Sequence, residues 1–170
     1  ATVNPLGYRT SYVYDVHNNR IAERNALDEV TTYVYDLFSR QIATVTPSGS
    51  RTTTLYDQAD NPVAIVDPLG NRTTTVYNLS GAALATIDAL GNRTTSVYDS
   101  VGRAVARIDA LGNRSTTVYD AFGRTAASIN PVGSRSTVVY DAAGRNVATI
   151  GPDGSRTTSV YGPGGQPVAS

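Results

Sequence analysis

The sequence predicts an all-β fold, a repeat array of about eight 21-residue antiparallel β-hairpins forming a continuous coiled β-strip, tube-like or solenoid-like. Three observations carry this. Tyrosine returns every 21 residues with no slip, at Tyr14, Tyr35, Tyr56, Tyr77, Tyr98, Tyr119, Tyr140 and Tyr161. A fixed period without insertion marks units that each lean on their neighbours. Between the tyrosines lie two turn signals per unit, separated by short runs rich in Thr, Val and Ile, which suit strands. No run has the length or the period of a helix.

The copy from Asp88 to Ile108 shows the elements in order. Asp88-Ala-Leu-Gly91 is a turn, and elsewhere it reads Asp67-Pro-Leu-Gly70 or Asn130-Pro-Val-Gly133. The leading Asp can accept hydrogen bonds from its own turn, Pro presets φ at the second position, and Gly takes positive φ at the fourth. The first strand runs from Asn92 to Asp99 and carries Val97 and Tyr98. Asp99-Ser-Val-Gly102 is the second turn, and the second strand runs from Arg103 to Asp109 with Val105 and Ile108. Both turns fit the three-residue hairpin loop, a type I turn followed by a left-handed glycine. With strands of this length the strip is roughly 25 Å wide and advances about 10 Å per hairpin.

The loop sets an expected pairing: Asp99 faces Arg103, Tyr98 faces Ala104, Val97 faces Val105 and Arg93 faces Asp109, which matches charge with charge and apolar with apolar. An odd period then raises a conflict. Side chains alternate between faces, so two identical loops and a 21-residue repeat would send Tyr98 and Tyr119 to opposite faces. One step in each repeat must break the alternation. A β-bulge or a different loop in each repeat does so, and a bulge near Ala106 would put Val105 and Ile108 on one face. Alanine holds that position in every copy (Ala22, Ala43, Ala64, Ala85, Ala106, Ala127, Ala148, Ala169), as if nothing larger fits. A single hairpin has too little apolar surface to stand alone, so neighbouring hairpins must supply the cohesion.

Composition narrows the function classes. There is no Cys, Met, Trp or Lys, and fourteen arginines balance fourteen acids. Zero net charge argues against nucleic acid as a partner. No apolar run is long enough for membrane insertion by a helix, and no thiolate metal site or disulfide can form. The array is taken as a single domain over 1–170, most regular from about 45 to 150. Its ends fall part-way through a unit, as if cut from a longer chain. Asp28 and Val30 replace the usual Gly and Arg, and Gly162-Pro-Gly-Gly165 replaces an Asp-led turn.

The combination Val97-Tyr98-Asp99 with Gly102-Arg103, and Val118-Tyr119-Asp120 with Gly123-Arg124, resembles the YD repeat of the Rhs, teneurin and insecticidal toxin complex BC-component superfamily. Asp88-x-x-Gly91-Asn92-Arg93-Thr94-Thr95 is similar to the rest of that repeat. The resemblance implies a β-hairpin strip coiled into a shell, which encloses a toxin cargo in the bacterial toxin branch and supports adhesion modules in teneurins. The toxin branch also has a self-cleaving aspartyl protease with a DPxG-type motif. Asp67-Pro68-Leu69-Gly70 matches those letters, but the same positions recur as ordinary turns.

No catalytic set can be assembled. His17 is the only histidine, and one Asp per hairpin does not converge into a calcium site. The arginines, matched by Asp, read as paired and not as a basic stripe. The expectation is a non-enzyme without cofactor or metal, a structural scaffold that is secreted or at the cell surface. It would build a tube, filament or shell wall. The alternatives are a shell segment around a polymorphic toxin, or an adhesion surface for cell-surface glycans. Its partners would be further repeats of the same chain, other copies, an enclosed protein cargo or a glycan. The residues expected to carry the repeat are the eight tyrosines, Asp99, Asp120, Asp141, Gly102, Gly123, Gly144, Arg93, Arg114 and Ala106.

Overall fold

The computed structural model describes residues 1–3 and 5–169, without the side chain of Ala169. All its regular elements are strands. They fall into two compact units, Ala1–Asn92 and Arg93–Ser170. The first unit holds β1 (Thr2–Val3), β2 (Arg9–Tyr14), β3 (Arg20–Arg24), β4 (Val30–Tyr35), β5 (Gln41–Val45), β6 (Arg51–Tyr56), β7 (Pro62–Val66), β8 (Arg72–Tyr77) and β9 (Ala83–Ile87). Each is paired antiparallel with the next in chain order.

The second unit holds β10 (Arg93–Tyr98), β11 (Ala104–Ile108), β12 (Arg114–Tyr119), β13 (Thr125–Ile129), β14 (Arg135–Tyr140), β15 (Asn146–Ile150), β16 (Arg156–Thr158), β17 (Val160–Tyr161) and β18 (Pro167–Ala169). From β10 to β16 the order again follows the chain, and β17 pairs with β18. Strands of five and six residues replace the seven or eight expected, because Asp99 and Arg103 close the turn instead of extending the ladder. In the last copy the strand is interrupted at Ser159, so one expected strand is two short ones.

Both turns of each repeat are of one kind. At the turn after the tyrosine, Gly102 N–H donates to Asp99 C=O at 3.1 Å and Asp99 N–H donates to Arg103 C=O at 2.9 Å. At the other, Gly112 N–H donates to Asp109 C=O and Asp109 N–H to Asn113 C=O, both at 3.0 Å. With identical loops, the parity break has to lie in a strand, and it does. Tyr98 pairs with Ala104 but Val97 pairs with Ala106, so Val105 is the extra residue of a bulge. The same shift recurs at Val118/Tyr119 and Val139/Tyr140, and in the first unit at Val13/Tyr14, Val34/Tyr35, Leu55/Tyr56 and Val76/Tyr77.

The bulge corrects two expected pairings. Val97 faces Ala106, not Val105. Arg93 does not face Asp109: Thr95 already faces Ile108, and the equivalent Arg114 lies across from Ile108. One face therefore reads, across successive strands, Val97, Ala106, Thr116, Ile129 and Arg135. Among the described residues, the fully buried apolar ones are the alanines that hold the Ala106 position in successive copies, Ala43, Ala64, Ala85, Ala106, Ala127 and Ala148, at 0–5 % exposure. Ala22, in the first copies, is only half-buried. The side chain of Ala169 lies outside the described residues.

Candidate functional site

The tyrosines and the Asp, Gly and Arg of the turns that follow them converge where one hairpin meets the next. Arg103 C=O points back across the hairpin to Asp99 N–H, so the carbonyl of the next residue, Ala104, points the other way, towards β12. The β11–β12 ladder ends at Ala106 and Thr116. Ala104 C=O therefore lacks a strand donor, and an unpaired backbone acceptor needs another partner. The Tyr119 hydroxyl provides it at 3.1 Å. Tyr140 donates likewise to Thr125 C=O at 2.9 Å and Tyr161 to Asn146 C=O at 2.8 Å. In the first unit Tyr35, Tyr56 and Tyr77 donate to Arg20, Gln41 and Pro62 carbonyls at 3.1, 3.1 and 3.3 Å.

The bulge and the tyrosine are thus one device. The bulge returns every tyrosine to the same face, and the hydroxyl then caps a carbonyl beside the bulge of the preceding hairpin. Tyr98 faces Ala104 within its own hairpin. Tyr14, 52 % exposed, caps no carbonyl among the described residues.

Asp and Arg of the turn after the tyrosine form a second link. Asp99 Oδ1 accepts the N–H of Val101 at 3.1 Å and of Arg103 at 2.9 Å, and Oδ2 accepts Arg103 Nε at 2.7 Å. Asp120 with Arg124 and Asp141 with Arg145 repeat this at 2.7 Å. These bonds hold the carboxylates below their ordinary value of 3.8. At Asp99 and Asp141 the backbone N–H of the partner arginine is the main cause. At Asp109 it is the Asn113 side chain.

Each of these guanidinium groups also lies over the next repeat's tyrosine: Arg103 over Tyr119 at 4.7 Å, Arg124 over Tyr140 at 4.3 Å and Arg145 over Tyr161 at 4.9 Å. Gly123 belongs to the same contact. Its φ of +79° disfavours any side chain, and a Cβ there would sit 3.3 Å from Arg103 Nη1. Gly102 and Gly144 hold the same conformation, at +84° and +81°.

Arg93 and Arg114 do not join this cluster. They open β10 and β12 and are exposed, with Nε donating to Thr95 and Thr116 Oγ1 at 3.3 and 3.4 Å. The expectation that every arginine is matched by Asp fails at this column, because the bulge moves Asp109 out of register with Arg93. His17 sits in a turn, with its backbone N–H on Asp15 Oδ1 at 2.9 Å. Among the described residues, no three His, Cys, Asp or Glu side chains converge on one point.

The carbonyl capping and the stacking were not readable beforehand. Their trace was the fixed offset of Arg103 before Tyr119 and Arg124 before Tyr140, which has meaning only once the register is known.

The comparisons with known proteins follow the same pattern. The RHS Repeat family model matches residues 14–51, 98–135 and 119–158, together more than half of the chain. The chain belongs to the RHS repeat family. Among curated proteins, no sequence matches it. Among solved structures, this RHS repeat array is similar to the crystal structure of TcdB2-TccC3-TEV, with a TM-score of 0.65 and 17 % identity over 93 % of this chain and 10 % of that one. It is similar to the Tc holotoxin pore of Photorhabdus luminescens, with a TM-score of 0.53 and 16 % identity over 94 % of this chain and 11 % of that one. It is also similar to TcdB2-TccC3-Cdc42, with a TM-score of 0.53 and 16 % identity. These likenesses concern the fold. The RHS repeat array spans about a tenth of the length of these structures.

Proposed function

We propose that this RHS repeat array, residues 1–170, is a structural scaffold, a wall-building strip and not an enzyme. One observation carries the reading: the tyrosines and the turn arginines that recur with the period are engaged in joining hairpin to hairpin. The tyrosine hydroxyls cap backbone carbonyls of the preceding hairpin. The arginines of the Asp-led turns bridge their own Asp to the next tyrosine. The tyrosines, Asp99, Asp120, Asp141, Gly102, Gly123, Gly144 and Ala106 act as parts of that joint. Further repeats of the same kind, in this chain or another copy, are the partners such a joint fits.

The similarity in fold to a Tc holotoxin pore supports a secreted or cell-surface setting and a tube or shell wall. The same similarity favours a second reading, in which the wall encloses a protein cargo. Electron microscopy of the full-length protein carrying the array tests both. Hollow tubes or filaments are the expected result. Closed capsules with internal density would replace the tube by the cargo-enclosing shell. Compact globular particles without a cavity would overturn both readings.

A further inference from the structure

Two columns of arginine recur in the repeats, and only one of them is used up in holding the strip together. Arg103, Arg124 and Arg145 are bound to Asp and stacked on tyrosine. In the second unit the other column is Arg93, Arg114 and Arg135, the first residues of β10, β12 and β14. All three are exposed, and among the described residues none is in an ion pair.

Each is nevertheless held in the same way. Nε donates to the hydroxyl of the threonine two residues on: Arg93 to Thr95 at 3.3 Å, Arg114 to Thr116 at 3.4 Å and Arg135 to Thr137 at 3.4 Å. Residues two apart in a strand share a face, so this bond tethers the guanidinium along the sheet surface. Among the described residues it leaves the two Nη groups, the fork that matches carboxylate or sulfate, without a protein partner.

The carboxylates nearby do not fill that fork. Asp109, which opens the turn before Arg114, already accepts Leu111 N–H, Asn113 N–H and Asn113 Nδ2, each at 2.9 Å. Before Arg135 the turn opens with Asn130, which has no charge. The unit carries eight arginines against five acids. The recurrence is also selective. Arg107 is exposed as well, but its column in other copies holds Thr86, Ser128 and Thr149, whereas the tethered column is arginine in Arg51, Arg72, Arg93, Arg114, Arg135 and Arg156.

The spacing identifies the class of ligand. The arginines lie on alternate strands, so successive guanidinium groups stand two strand spacings apart, about 9.5 Å. A duplex nucleic acid presents a phosphate about every 3.4 Å along each strand, so a straight row at this pitch would leave most phosphates unmatched. A chain of sugar rings with an acidic group on every second ring has a charge pitch of two ring lengths, which is of the same order as the row. We propose that the row Arg93, Arg114, Arg135 is a binding track for an acidic polysaccharide with one anionic group per disaccharide. The track needs the hairpin register but not the scaffold role, and electron microscopy of the scaffold would be unaffected by its failure.

The test measures binding of the 170-residue chain to hyaluronan, with dextran as the neutral polymer and duplex DNA as the competing polyanion. At low salt, hyaluronan is expected to bind and dextran not to bind. Combining Arg93→Gln, Arg114→Gln and Arg135→Gln should weaken binding about tenfold, the size of three exposed ion pairs, while Arg107→Gln leaves it unchanged. Combining Thr95→Val, Thr116→Val and Thr137→Val keeps every charge and releases the tether, so it should weaken binding by a smaller factor. Absence of hyaluronan binding, equal loss in the Arg107→Gln protein, or an unchanged affinity in the threonine variant would overturn the proposal. Tighter binding of duplex DNA would overturn it in favour of a nucleic-acid surface.

Discussion

The two units build the same turn from different residues. In the second unit the Asp-led turns end in Gly102, Gly123 and Gly144, all with positive φ, followed by Arg103, Arg124 and Arg145. In the first unit the same position of the turn directly after the repeat tyrosine is Asn18, Ser39 and Asp60, at φ of 65°, 61° and 64°, with glycine only at Gly81, and of the four following residues only Arg40 is an arginine. The hydrogen bonds that close the turns are nonetheless the same, as in Ser39 N–H to Asp36 C=O at 3.1 Å. The hairpin geometry thus imposes the left-handed conformation and the residue only sets its cost. What changes with the residue is the link to the neighbour. Arg40 reaches the next turn at Asp57 C=O and Asp60 Oδ1 and lies over Tyr56. Asn61 stays within its own turn, on Asp57 Oδ2. The tyrosine link survives that change, since Tyr77 still caps Pro62 C=O.

The comparison can be sharpened by substitution. The largest contrast is expected at the alanine column. Ala127 is fully buried and Ala22 half-buried. Ala127→Leu should therefore destabilise by about 3 kcal/mol through overpacking and Ala22→Leu by less than about 1 kcal/mol, read from urea unfolding. Next come the turns. Gly123→Ala meets both the positive φ and Arg103 Nη1 and should cost about 1–2 kcal/mol. Ser39→Gly relieves the same strain in the first unit and should stabilise by about 0.5 kcal/mol, with one exposed hydrogen bond from Asn19 lost. Smaller again, Tyr140→Phe removes one hydroxyl-to-carbonyl bond, worth about 1 kcal/mol, whereas Tyr14→Phe should be silent.

Acid should act on both units alike. Asp99, Asp109 and Asp141 in the second unit, and Asp57 and Asp67 in the first, are all held below 3.8 in the fold. The unfolded chain then binds protons first as pH falls. The stabilisation is complete above the ordinary value and is lost as pH drops through the lowered ones. Thermal unfolding should show a plateau from pH 7 to about 4 and a falling midpoint below it. A fall already between pH 7 and 5 would contradict the carboxylate account.

Much of the fold was legible in the sequence because the period is so regular. The Asp-x-x-Gly turns named the loop type, and that loop type with an odd period demanded a parity break, by a bulge or by a different loop. The structure makes it a bulge beside Ala106. The pairing beyond the bulge was not legible: a one-residue shift moves every later partner, so the partners that the loop alone implies for Val97 and Arg93 are not the ones they have. The inter-hairpin contacts depend on that shifted register. Ala104 C=O needs a donor only because the ladder stops short of it, and no feature of Ala104 itself signals this.

Because the chain has no cysteine, introduced pairs can read the register directly in β12 and β13. With the bulge, Thr116 pairs with Ile129; with an unbroken three-residue hairpin it would pair with Ser128. Disulfides need Cα atoms about 4.4–6.8 Å apart, which only the true cross-strand neighbour offers with both side chains on one face. The account predicts that Thr116→Cys with Ile129→Cys cross-links under mild oxidation and that Thr116→Cys with Ser128→Cys does not. The reverse result would mean that the repeat has no bulge and that its tyrosines do not share a face.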